Sequence, residues 1–202
     1  MRPALPWRAA STPRLELARY EQPSLALEHV VARLRHAPRC GVLDLGSPTA
    51  ANLELYSRHG AKITFADLHR FYAPKRAEGS SSEHFNAFLP KTPSQIDVVL
   101  AWDLFDYLSL EEIAWLRQSL AGHCAPGAIL YALVSSQGLI PDTPSFFAIA
   151  DDKTLRVEEA GPRVRPSPTL SEHTLVGSLH ELTVQSRFQL RRAAVEYLFS
   201  WR

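Results

Sequence analysis

The sequence predicts one α/β domain: a doubly wound, mostly parallel seven-stranded sheet with helices on both faces. Two observations carry this. Short apolar runs alternate with amphipathic stretches of about a dozen residues, which is the pattern of βαβ units. The 202 residues, 46% hydrophobic and 21% charged, suit one globular domain and exclude wholesale disorder.

The elements follow in order. Residues 1–24 read as a surface arm: MRPALPWRAASTPR has three prolines and no acid. It lacks the apolar stretch of a secretory signal and a clear amphipathic period. Leu27, Val30, Val31 and Leu34 share a helical face, so 24–36 is a helix with Ser24 as its cap. Residues 40–45 form a buried strand ended by Gly46. Residues 48–59 are helical and stop at Gly60, and 61–66 form a second strand ended by Asp67. A weak helix covers 69–77, and 84–86 form a short third strand. Residues 96–101 are a strongly apolar fourth strand. Ser109 and Glu112 make a capping box, and the helix it opens carries Ile113, Leu116, Leu120 and Cys124 on one face. Pro126-Gly127 breaks that helix before a fifth strand at 128–134. A proline-rich soft region spans 136–170 and holds Arg156, Arg163 and Arg165. Thr169 and Glu172 offer another capping box, opening a helix with Leu175, Val176, Leu179 and Leu182. Residues 188–195 and 196–201 close the chain as two strands.

Parallel sheets of this kind bind ligands beyond the carboxyl ends of their strands. The first such end is Asp44-Leu45-Gly46-Ser47-Pro48. Asp67 ends the next strand 23 residues after Asp44, where a carboxylate is placed to accept ribose hydroxyl protons. Leu68 follows it. Asn86, followed by Ala87, ends the third strand and offers an acceptor for an adenine amino group. Trp102, Asp103, Phe105, Asp106 and Tyr107 crowd the end of the fourth. Trp102 and Phe105 are either ligand walls or core. Asp103 and Asp106 are either a base near the reacting group, helix-capping acids or solvated.

These features in this order resemble the class I S-adenosylmethionine-dependent methyltransferases. The family's apolar-apolar-acid-apolar-Gly-x-Gly-x-Gly is matched by VLDLGSPTA, and its strand-two acid by Asp67. IDVVLAWDLFDYL resembles its fourth strand, HCAPGAILYALV its fifth, and SLHELTVQSRFQLRRAAVEYLFSW its last helix and closing antiparallel hairpin. The resemblance spans about residues 25–202 apart from the soft region. It implies a Rossmann-like methyltransferase fold with S-adenosylmethionine as cofactor. Asp44, Gly46, Ser47, Asp67, Leu68, Asn86, Ala87 and Trp102 are implied as its contacts. It also implies methyl transfer to an acceptor near Trp102 and Asp103, with a small molecule favoured. A dehydrogenase would want G-x-G-x-x-G after the first strand, and the turn here has a single glycine.

The turn also departs from the family. Pro48 stands at the second glycine and Ala50 at the third, while Asn86 stands where an acid is frequent. Proline has no N–H and a fixed φ, which suits an altered pocket. It equally suits the first turn of a helix capped by Ser47. A non-catalytic relative that binds a partner or another ligand is therefore the alternative.

Other chemistries leave little trace. No G-x-S-x-G or G-x-x-x-x-G-K-[ST] occurs. His29/His36 and His173/His180 are two helical turns apart, and two histidines do not make a metal site. Cys40 and Cys124 read as core filler in a reducing cytoplasm. No apolar run is long enough to span a bilayer. The net charge of +1 gives no general pull toward nucleic acid. The arginines of the soft region read as a solvated loop or as an anion contact.

Overall fold

The structure, a computed structural model, describes residues 18–68, 89, 95–159, 161 and 163–202. The chain runs β1 (Arg19–Pro23), α1 (Leu25–His36), β2 (Gly41–Asp44), α2 (Ala50–Arg58), β3 (Lys62–Phe65) and β4 (Ile96–Trp102). A 3-10 turn (Leu104–Tyr107), α3 (Leu110–Ala121), β5 (Cys124–Ser135), β6 (Leu139–Pro141), β7 (Phe146–Asp151) and β8 (Thr154–Glu158) follow. β9 (Val164–Pro166), α4 (Glu172–Ser178), β10 (Leu182–Gln189) and β11 (Ala194–Trp201) complete it. The helix expected over 69–77 and the strand over 84–86 lie outside the described residues.

The main sheet has six described strands in the order β10-β11-β5-β4-β2-β3. β3, β2, β4 and β5 are parallel, whereas β11 is antiparallel to both β5 and β10. The described sheet is therefore mixed: four of its six strands are parallel and the closing pair is antiparallel. The reason is local. A tight turn joins only antiparallel neighbours, because a parallel pair needs a long crossover.

Side chains alternate across this sheet. Val42, Val98, Leu100 and Tyr131 face α1, α2 and a small antiparallel sheet ordered β1-β8-β7. Leu43, Val99, Leu130 and Phe199 face α3 and α4. Helices thus cover both faces, as expected. α1 is capped by Ser24, whose hydroxyl accepts from the Leu27 amide at 3.1 Å. That hydroxyl also donates to Glu196, which is fully buried in β11. Glu196 accepts from Tyr131 Oη at 2.8 Å and from the Ala26 amide at 3.3 Å. A buried carboxylate needs such partners, and they tie the start of α1 to β5 and β11. Gly41 has no room for a side chain, because a Cβ there would lie 2.0 Å from the Gln95 carbonyl oxygen.

Several boundaries differ from expectation. Cys124, expected on the face of α3, instead starts β5, which contains Pro126-Gly127. Its register to β4 shifts between Ile96 and Val98, with Gly127 at φ 76°, so the pair that breaks a helix forms a bulge in a strand. The closing hairpin turns between Gln189 and Ala194, not at 195/196. α4 is capped by Ser171, which accepts from the Thr174 amide at 3.1 Å, and not by Thr169. The soft region holds β6 to β9, and residues 19–23 of the stretch read as an arm form β1, paired with β8. Among the described residues no helix is long and apolar enough to cross a membrane.

Candidate functional site

β2 delivers Asp44 to the centre of the sheet's carboxyl end, where it is fully buried. Its Oδ1 accepts from the Gly46 amide at 3.0 Å and from Trp102 Nε1 at 2.6 Å, and its Oδ2 from Tyr56 Oη at 3.0 Å. Burial pushes its pKa up to about 6, and the hydrogen bonds from Trp102, Gly46 and Tyr56 only partly offset this. Trp102 ends β4 in the left-handed region, at φ 50°. Its ring lies parallel to Phe147 of β7, with centroids 5.3 Å apart, and meets Tyr131 edge-on at 5.6 Å. β7 is held there by Asn52 of α2, which bonds Phe147 O at 3.1 Å and the Ile149 amide at 2.8 Å.

Gly46 lies directly under this indole. A Cβ on it would stand 2.6 Å from Trp102 Cδ1 and 2.8 Å from Nε1. The indole is pinned by Phe147, Tyr131 and Asp44 and cannot swing aside. Gly46→Ala is therefore expected to destabilise the fold by about 1–3 kcal/mol, the range for overpacking, read as a lowered urea midpoint at unchanged slope.

Asp67 follows β3 in the left-handed region, at φ 45°, and is partly exposed. Ser47 Oγ donates to its Oδ1 at 2.6 Å. Ser47 thus does not cap α2. Thr49 does, accepting from the Asn52 amide at 3.2 Å, and Pro48 lies ahead of the helix. The side chain of Leu68 is core, and its amide donates to Leu45 O at 2.9 Å. Asn86 and Ala87 lie outside the described residues. The structure therefore joins Asp44, Gly46 and Trp102 in one cluster and Ser47 with Asp67 in another. Tyr56, Asn52 and Phe147 were not singled out in the sequence.

A cavity of about 360 Å³ opens beyond the ends of β4 and β5. Its lining includes Tyr20, Asp103, Asp106, Tyr107, Glu159 and Arg192. Asp103 and Asp106 do not cap α3, nor are they solvated. Asp103 Oδ2 accepts from the Ser145 amide at 3.0 Å, and Asp106 Oδ2 from the Ser135 amide at 2.9 Å. Asp106 is 3% exposed, and its Oδ1 is buried without a hydrogen-bond partner. Desolvation, with the neighbouring Asp106 charge, pushes Asp103 up to about 8, and desolvation pushes Asp106 up to about 7. Arg165 lies 4.7 Å over the Tyr107 ring and donates to Asp106 O at 2.6 Å. Arg192 lies 3.8 Å over Tyr20. Arg156 pairs with Glu21 at 2.7 Å and Arg163 with Asp142 at 3.9 Å. Phe105 is core.

Among the described residues no group of three or more His, Cys, Asp or Glu is placed to hold a metal. Cys40 and Cys124 are free thiols, which burial pushes up to about 11 and about 12, away from the reactive thiolate.

No family model and no curated protein matches the chain in sequence. Solved structures do match in shape. An S-adenosylmethionine-dependent methyltransferase from Clostridium acetobutylicum is 10% identical, with 87% of this chain and 90% of that one covered and a TM-score of 0.50. SAM-bound CalS10 is an amino pentose methyltransferase from Micromonospora echinaspora involved in calicheamicin biosynthesis. It is 13% identical over 87% of this chain and 90% of that one, with a TM-score of 0.51. The strand order and these likenesses together give the chain the Rossmann-like α/β fold of the S-adenosylmethionine-dependent methyltransferases.

Proposed function

We propose that the protein transfers a methyl group from S-adenosylmethionine to a small acceptor seated in the cavity beyond β4 and β5. The observation that carries this is the carboxylate of Asp67. It stands partly exposed at the end of β3 beside the Gly46-Ser47 turn, on a fold shared with a SAM-bound methyltransferase. Ser47 takes one of its oxygens and leaves the other for a ribose hydroxyl. Asp67 and the head of α2 at Ala50 are the groups that would hold the cofactor's ribose and carboxylate. The bound cofactor supplies an activated methyl group on a sulfonium. The protein's share is then mostly to position the acceptor in line and to exclude water. Asp106, a carboxyl of the cavity lining that burial pushes up to about 7, is the group suited to take a proton from the acceptor.

Titration of the purified protein with S-adenosylmethionine and with S-adenosylhomocysteine tests this. Saturable binding in the micromolar range is expected. Asp67→Ala should weaken it about 10- to 100-fold, the loss of a charge-assisted hydrogen bond of roughly 1.5–3 kcal/mol. No heat and no thermal stabilisation by either compound at millimolar concentration overturns the proposal.

A second reading, a non-catalytic binding module, is favoured by Trp102. Its indole covers Gly46 and engages Asp44, so neither is open to a ligand from that side. Pro48 offers no amide in their place.

A further inference from the structure

We infer that the groove beside α1, over the start of β5 and the end of β11, is a binding site for a carboxylate carried on a small apolar body. It lies at the opposite end of the main sheet from the candidate site. Gly127 and Ile129 of its lining are near the start of β5, and Leu198 and Ser200 near the end of β11. The cavity beyond β4 and β5 takes Leu133, Ser135 and Ala194 from the other ends of the same strands. The groove holds about 680 Å³, a volume suited to a small-molecule ligand. His29, Arg33 and His36 are four and three residues apart, which puts them on one face of α1, and all three line the groove. No acid is among its described lining residues. Ala32, Ile129 and Leu198 are apolar, and Gln185, Ser186 and Ser200 are uncharged.

The telling observation is that these donors are unspent. The Arg33 side chain is 38% exposed, and its guanidinium makes no hydrogen bond to a described residue. Its ion pair with Asp97 is 3.6 Å long, beyond the reach of about 2.7–2.9 Å of a charge-assisted hydrogen bond. Asp97 is itself engaged by the Gly41 amide at 2.8 Å. His29 and His36 are exposed and have no hydrogen-bond or ion-pair partner among the described residues. Arg35, one turn away from the groove face, is by contrast paired with Asp152. The helix dipole accounts for a basic last turn. It does not account for His29, two turns earlier, or for the gathering of all three on an acid-free groove. One full cation calls for one negative charge, and the guanidinium fork fits the two oxygens of a carboxylate. Each imidazole adds an N–H donor, and Ala32, Ile129 and Leu198 bed an apolar body. This inference stands apart from the methyl-transfer reading, because the groove shares no lining residue with the cavity beyond β4 and β5 and includes neither Gly46 nor Asp67.

The test is titration of the full chain with benzoate, benzyl alcohol and benzylamine, three probes of similar shape and different charge. Benzoate is expected to bind saturably and about tenfold or more tighter than benzyl alcohol, the worth of one charge-assisted hydrogen bond. Arg33→Gln should remove that preference and leave benzyl alcohol binding unchanged. His29→Ala and His36→Ala lie at exposed helix positions where alanine is well tolerated. Each should lower benzoate affinity about fivefold, the worth of one ordinary hydrogen bond, and they decide the matter if Arg33→Gln does not fold. Arg192→Gln, in the other cavity, should leave benzoate binding as it is. Benzoate no tighter than the alcohol or the amine overturns the inference, as does no benzoate binding at millimolar concentration. Undiminished preference in folded Arg33→Gln, unchanged affinity in both histidine variants, or loss of benzoate binding in Arg192→Gln also overturns it.

Discussion

Trp102→Ala is expected to destabilise the protein by about 3–5 kcal/mol, the range for truncating a large core aromatic. The indole is 1% exposed, lies parallel to Phe147 and meets Tyr131 edge-on. Its removal leaves a void at the junction of the main sheet, α2 and the small β1-β8-β7 sheet. It also strips Asp44 of its 2.6 Å donor, so a fully buried carboxylate is left with the Gly46 amide and Tyr56. Trp102→Phe separates the two losses. It fills most of the void and keeps the stack on Phe147, but lacks the N–H. Its expected cost is about 1–3 kcal/mol, that of one unsatisfied buried polar group. Chemical denaturation of the three proteins checks both values. A Trp102→Ala cost under about 1 kcal/mol, the size expected of a surface change, would mean that the indole is not the keystone described. Titration of the same folded variant with S-adenosylmethionine also divides the functional readings. Affinity gained on removing the indole means that Trp102 closes the site, and affinity lost from a binding wild type means that it is a wall of it.

Much of this architecture was legible in the residues, and the part that was not has a common cause. The α3 capping box, the apolar β4 and the glycine after β2 are local signals: a cap three residues long, a continuous run, a turn. Each is where the sequence placed it. β7 and β8 were not foreseen because prolines flank them and β8 finds its second partner in β1, some 135 residues earlier in the chain at the Arg156–Glu21 pair. The closing hairpin was misplaced because its turn, Leu190-Arg191-Arg192-Ala193, has none of the glycine, proline or asparagine that usually marks one. The site behaves the same way. Asp44 and Asp67 stand out as acids after apolar strands. That Asp44 is already engaged by Trp102, 58 residues on, and by Tyr56 is long-range packing that no periodicity reports. Ser47 shows the limit of a local rule, for a serine before a helix reads as a cap until an acid from the neighbouring strand claims its hydroxyl.

Stability is expected to fall as pH rises from about 4 to about 8.5, the span between the unfolded and the raised folded pKa values of the buried carboxyls. Asp44, Asp106 and Asp103 are all pushed up by desolvation, to about 6, about 7 and about 8. A raised pKa means that the folded state holds the proton more tightly than the unfolded chain, where a carboxyl titrates near about 4. The stabilising contribution is therefore complete below that value and is lost as pH climbs through each folded pKa. Each tenfold gain in proton affinity on folding corresponds to about 1.4 kcal/mol. The groups around Asp103 and Asp106 are Tyr107 on the same turn, Asp142, Glu159, Arg165 and Arg192. The two arginines temper the loss without cancelling it, because each is held against an aromatic ring. Asp103→Asn combined with Asp106→Asn keeps acceptors for the Ser145 and Ser135 amides and removes the charge. That double variant should match the wild type near about pH 4 and exceed it by about 2–5 kcal/mol near about pH 8.5. Thermal melts across that range measure it. Parallel curves for the two proteins would show that these carboxylates are as well solvated in the folded chain as in the unfolded one.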